Sequence, residues 1–278
     1  MTYNLNSRLY TLLADTVDTF DVVADTPVNT ITGNDVIKGT SLVAPEGIKL
    51  ASTAVLDMSY GDDLISGISD KNPGTGLSNA GLLLMGFGND TVKGEVTSLV
   101  GSDAPYHRGI DNRGSGLLDT GFGDDSVIGI SGVNGYGINN TINASISTGF
   151  GRDLVQGRGG NGFGIYNDGL INTGFDDDVI QGISNLKYAG FGGTGLTQLG
   201  YGNDRSEGFG TGFFDAGAGS DQLRLPAGTY TVSPLNPNGY YNVSLAGAAE
   251  VMQVKDYESI GLIGAAGTSV FAPGLYNL

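Results

Sequence analysis

Along most of this 278-residue chain, apolar positions keep fixed offsets from a recurring aspartate. Two residues after Asp35, Asp63, Asp90, Asp125, Asp153, Asp178 and Asp221 stand Ile37, Ile65, Val92, Val127, Val155, Ile180 and Leu223; after Asp204 the position is polar, Ser206. Seven residues before five of the aspartates come Leu56, Leu83, Leu118, Ile146 and Ile171, and five before come Thr30, Met58, Met85, Thr120, Thr148 and Thr173. This alternation has period two, which predicts short strands with one buried face. Four residues after the aspartate, glycine recurs in seven of the eight copies, read as a turn feeding a short strand. Three before it stands an aromatic residue, Tyr60, Phe87, Phe122, Phe150, Phe175 or Tyr201, usually between two glycines. Further upstream an aliphatic-x-Asn element repeats as Leu77/Asn79, Ile110/Asn112, Ile138/Asn140 and Ile165/Asn167.

A repeat of this length with three strand-like stretches predicts an all-β fold, a parallel β-solenoid (β-helix- or β-roll-like) of about eight coils and roughly triangular section. One coil cannot bury its aliphatic positions alone, so stacking must place equivalent residues in ladders. Glycine is expected at corners, where the chain turns with positive φ and backbones approach closely. Asp90 and Asp125 are separated by 35 residues, which predicts an outward loop within 97–110 carrying the only histidine, His107, beside Arg108. The spacing divides the chain into a cap or joint at 1–29, the repeat solenoid at 30–225, and a β-rich cap or assembly segment at 226–278. In the first part, 5–16 reads as a short amphipathic helix and TFDVVA (19–24) as a first strand. In the last, PAGTYTV, YYNVSLA and VMQVKDYESIGL read as a small antiparallel meander.

Composition narrows the chemistry. There are 49 glycines, no cysteine, no tryptophan and one histidine, which excludes disulfides, thiolate metal sites, cysteine nucleophiles and any mechanism needing two histidines. A net charge of −16 repels nucleic-acid phosphates and anionic membranes. Residues 1–20 lack the pattern of a cleaved secretory signal, and no segment is apolar enough to insert in a membrane.

The windows MGFGNDTVK (85–93), TGFGDDSVI (120–128) and TGFGRDLVQ (148–156) resemble the glycine-aspartate nonapeptide of the RTX, or haemolysin-type, calcium-binding family. The likeness spans about residues 30–225. It implies a calcium-bound β-roll and an extracellular or cell-surface protein, exported by a type I-like route without a cleaved N-terminal signal. The chain departs from the pattern in having one nonapeptide per coil instead of two and Thr or Met for the first glycine, so half of the family's calcium rows should be missing.

The candidate metal residues are accordingly Asp35, Asp63, Asp90, Asp125, Asp153, Asp178, Asp204 and Asp221, since calcium seeks carboxylate and carbonyl oxygens. The alternative is that each aspartate caps its own turn. No catalytic residue is expected. Asp176–Asp178 would suit a glycan hydrolase only if the three carboxylates converged, and His107 reads as a solvated loop residue. The aromatic column reads as corner packing before sugar stacking. The leading expectation is a structural protein forming an extracellular fibre, sheath or surface layer by end-to-end self-assembly of calcium-stabilised solenoids. Cell-surface polysaccharide is a further possible partner. A calcium-dependent adhesin and a polysaccharide-modifying β-helix enzyme are the alternatives.

Overall fold

The computed structural model describes residues 3–5, 15–30, 32–98, 107–132, 134–186 and 189–278. They are all-β, and the helix expected at 5–16 falls largely on residues outside this set. Three extensive sheets account for the strands. The aspartate sheet runs from Thr16–Phe20 through Val36–Thr40, Leu64–Ser69 and so on to Ser259–Leu262, every neighbouring pair parallel, and ends on an antiparallel strand, Thr268–Val270. The asparagine sheet runs in parallel from Tyr3–Asn4 to Phe191–Gly192. The leucine sheet runs in parallel from Val28–Asn29 to Val251–Lys255 and continues through antiparallel Tyr241–Leu245, Thr229–Val232 and Gly274–Asn277. Neighbours within a sheet lie one winding apart in the sequence, the arrangement expected of a β-solenoid.

The register matches the offsets in the sequence. Ile37, Ile65, Val92, Val127, Val155 and Ile180 are paired in one unbroken column, and Leu56, Leu83, Leu118, Ile146 and Ile171 in another. The third column is Ile48, Leu77, Ile110, Ile138 and Ile165. All of these side chains are buried and together form one core. Inside it, Asn79, Asn112, Asn140 and Asn167 pass side-chain amide hydrogen bonds from one winding to the next, Nδ2 donating to the following Oδ1 at 2.8–2.9 Å. The buried amides are therefore satisfied along the axis.

Two expectations about glycine separate here. The corners do use positive φ: Gly121 and Gly123, flanking Phe122, have φ of 96° and 128°. The glycine four residues after the aspartate is not a corner residue in the first six copies; only Gly208, just past the strand Arg205–Glu207, has positive φ, 139°. Gly129 sits inside the strand Ser126–Ile130, where a Cβ would lie 2.2 Å from the Gly137 carbonyl oxygen and 2.6 Å from Ile138 Cγ1. Gly94 against Gly109 and Gly157 against Gly164 repeat the arrangement. A seam of facing glycines thus lets the aspartate and asparagine sheets touch backbone to backbone.

Other boundaries shift for identifiable reasons. TFDVVA splits at Asp21, which has φ 47°, into Thr16–Phe20 and Val22–Ala24 in different sheets. VMQVKDYESIGL likewise splits at Asp256, φ 60°, and its halves extend two sheets in parallel, so a further winding at 251–262 follows the antiparallel strands Thr229–Val232 and Tyr241–Leu245. The meander covers the end of the core with Tyr230, Val232, Val243 and Met252. Residues 99–106 of the expected loop lie outside the described set, and His107 belongs to a strand, His107–Asn112. His107 is fully buried rather than solvated, with Nδ1 accepting the Gly74 N–H at 3.3 Å.

Candidate functional site: an inward carboxyl column and an outward ring column

Each repeat aspartate follows a tight glycine corner and opens a strand of the aspartate sheet. The alternation that turns Ile37 or Val127 inward two residues later therefore turns the aspartate inward as well. All eight are 0–2% exposed. The backbone N–H of each donates to Oδ1 of the aspartate one winding on, at 2.7–2.9 Å from Asp35→Asp63 to Asp204→Asp221. The Asp15 N–H enters the column at Asp35 Oδ1, and the Asp221 N–H leaves it at Glu258 Oε2, 2.6 Å. Both stand at the aspartate position of their own strands, Asp15 one winding before Asp35 and Glu258 one winding after Asp221, but spacings of 20 and 37 residues and the absence of a glycine four residues on kept them out of the sequence motif.

The remaining oxygen is the unusual one. Oδ2 of Asp63, Asp90, Asp125, Asp153, Asp178, Asp204 and Asp221 is buried with no hydrogen-bond partner among the described residues. An ionised carboxylate there would forgo its hydration without replacement. Burial first, and neighbouring carboxyls second, push these groups well above the ordinary 3.8, against the lowering effect of the donated N–H and, at Asp125, Asp153 and Asp178, of the nearby Thr120, Thr148 and Thr173 hydroxyls. Asp63, Asp90, Asp153 and Asp221 rise to about 7, Asp178 to about 8, and Asp125 and Asp204 to about 6. The column is thus one of carboxylic acids that hold protons at mildly acid pH.

That donor set does not fit calcium, which takes six to eight oxygens. Each winding offers one carboxyl whose Oδ1 is already committed, and no group of three or more Asp, Glu, His or Cys that could hold a metal occurs among the described residues. The corner carbonyls are committed too: Gly86 O, Gly121 O and Gly149 O accept the N–H groups of Phe122, Phe150 and Phe175. With one nonapeptide per winding, no second loop faces the first to complete a shell.

The chain matches no protein-family model, no curated protein and no solved structure. The likeness of its nonapeptides to the RTX pattern therefore stands on the residues themselves.

The other candidates resolve individually. Asp176, Asp177 and Asp178 do not converge: Asp178 faces inward in the column, while Asp176 and Asp177 are exposed outside. Asp176 occupies a corner-glycine position at φ 75°, and Asp177 Oδ1 accepts the Asn203 N–H. Thr120, Thr148 and Thr173, in the alternating position five before the aspartate, are buried and donate lengthwise to Thr148 O, Thr173 O and Leu199 O. The aromatic residues do stand outside. Tyr60, Phe87, Phe122, Phe150, Phe175 and Tyr201 stack face to face with centroids 4.6–5.2 Å apart and planes within 9° of parallel. Their faces are used in intercoil packing, yet 43–61% of each residue remains exposed, chiefly at ring edges. Beside the rings a groove of about 380 Å³ is lined by Asp57, Leu84 and Asp119. Asp57 and Asp119 were legible in the sequence as outward neighbours of the leucine column, but nothing in the repeat marked them out.

Proposed function

We propose that the protein is a structural β-solenoid of about eight coils, without catalytic activity, that assembles end to end into a fibre, sheath or surface layer. The observation that carries this reading is a pair of unprotected sheet edges. The strands Thr268–Val270 and Gly274–Asn277 end the aspartate and leucine sheets, with Val270 80% and Leu275 67% exposed. Residues 259–278 contain no charged side chain, in a chain of net charge −16. Sheet edges left without charge or cover are templates for pairing with another chain.

Strand direction supports a second copy as the partner. Both edge strands run opposite to the windings, whereas Thr16–Phe20 and Val28–Asn29 at the other end of the same two sheets run with them. A head-to-tail joint would therefore be antiparallel in both sheets at once. Such a heterologous contact does not close and propagates as a filament. Placement outside the cell rests on the nonapeptide resemblance.

Sedimentation and electron microscopy of the whole chain at rising concentration test the reading. Concentration-dependent rods are expected, and Val270→Lys with Leu275→Lys should return monomers with an unchanged melting temperature. A parent protein that stays monomeric at high concentration overturns it.

A further inference from the structure

The ring column and its rims make a continuous strip along the rod. On one side lie the outward residues of the leucine sheet, Asp57, Leu84, Asp119, Ser147, Asn172 and Gln198, one per winding and in register. On the other lies an exposed row that includes Asp62, Asn89, Asp124 and Asp177. That row is ordered by lengthwise bonds such as Asn89 N–H to Asp62 Oδ1 at 2.8 Å and Asp124 N–H to Asn89 Oδ1 at 2.8 Å. A contiguous apolar strip rimmed by polar groups marks an interaction surface. Within the groove the Asp119 side chain makes no hydrogen bond or ion pair among the described residues, and burial holds its carboxyl above the ordinary value. Asp57, by contrast, already accepts from Ser59 and Asn29.

We propose that this strip binds a linear polysaccharide of neutral or amino sugars, laid along the rod axis so that successive sugar rings meet successive windings. Three observations select this occupant. The first is the repeat. An extended peptide presents side chains to one face every two residues, about 6.6 Å, and drifts out of phase with rings 4.6–5.2 Å apart. A pyranose unit with its bridging oxygen is close to the ring spacing. The second is polarity. The rims are rich in carboxylate and amide acceptors for sugar hydroxyls, and the exposed ring edges are the electropositive part of each aromatic quadrupole, suited to ring and bridging oxygens. The third is charge. Asp57, Asp62, Asp119, Asp124, Asp176 and Asp177 line the strip against one cation, Arg152, which is itself paired with Asp124 at 3.4 Å. Polyuronates are repelled and protonated amino sugars attracted. The inference goes beyond assembly and does not depend on it.

The test is calorimetric titration of the whole protein with β-1,4-linked glucose and glucosamine oligomers of two to six sugars. Affinity should rise at least tenfold from dimer to hexamer, because a periodic site adds contacts with length. Asp119→Ala should weaken hexamer binding several-fold without lowering the melting temperature, and Phe122→Ala with Phe150→Ala should weaken it further. Absence of binding by every oligomer, affinity independent of length, an Asp119→Ala variant that binds like the parent, or equal binding of a hexameric polyuronate would each overturn the proposal. Sedimentation on the same samples reads assembly separately, so either reading can fail alone.

Discussion

Replacing Asp153 by asparagine asks what the carboxyl column is. Asparagine keeps an oxygen where Asp153 Oδ1 accepts the Asp125 N–H, and it places an uncharged NH2 where Oδ2 has no partner. In the folded chain Asp153 titrates at about 7, against an ordinary 3.8, chiefly because it is buried. A group raised on folding contributes stability that is fully present below its unfolded value and is lost as pH rises through its folded value. The parent should therefore be more stable at pH 4 than at pH 8, and most of this dependence should fall between 4 and 8. For Asp153 alone, the interval from 3.8 to about 7 corresponds to at most about 4 kcal/mol. Neighbouring carboxyls titrate with it, so roughly 1–3 kcal/mol is the working expectation. The Asp153→Asn variant should match the parent near pH 4 and exceed it at pH 8, by several degrees in melting temperature at roughly 2–4 °C per kcal/mol for a chain of this size class. Melting both proteins across that range, by circular dichroism, is sufficient. An asparagine variant destabilised equally at both pH values would refute the proton-holding column. Calcium that raises the melting temperature of the parent but not of the variant would restore the metal reading.

For the same reason, melting curves in excess calcium and in excess chelator should superimpose for the parent protein, and a clear separation would show that the donor set has been misjudged. Gly129→Ala should destabilise by about 3 kcal/mol or more, because the new methyl meets backbone that cannot move aside. Gly267→Ala, with open space around the added carbon, should stay within about 0.5 kcal/mol by urea denaturation. Asp176→Gly should stabilise by about 1 kcal/mol, because it relieves a non-glycine residue at φ 75°; a loss of stability would mean that the Asp176 side chain contributes more than its strain costs.

The windings were legible because their signal is periodic and local: an aspartate, a strand and a glycine corner recur, and each repetition corroborates the last. The direction of the aspartate was also implicit, since it alternates in phase with Ile37 or Val127, but the calcium resemblance draws attention to outward chemistry for a residue that the strand period turns inward. The mid-strand glycine was misread because a sequence does not distinguish a residue that needs positive φ from one that has no room for a Cβ. Gly123 and Gly129 look alike in the repeat and serve opposite ends. Glu258 and Asp15 were not legible as ends of the column, although they are in register with it, because their windings lack the glycine four residues on and are spaced 37 and 20 residues from their neighbours, and one of them is a glutamate. Asp119 was invisible as a groove residue because its importance lies in what stands beside it one and two windings away.

Because every strand of a sheet pairs with its counterpart one winding away, the rod is quantised in length. Excising the stretch from one repeat aspartate to the next, such as 126–153, would bring Asp125 beside Asp178 and Val155 beside Val92, so every column would close over the gap with partners of the same kind. Duplicating the stretch would insert a rung by the same logic. The molecule can therefore be shortened or lengthened by gene-level copying in steps of one winding while its two ends stay unchanged, so the length of the rod can change without altering the strands at either end.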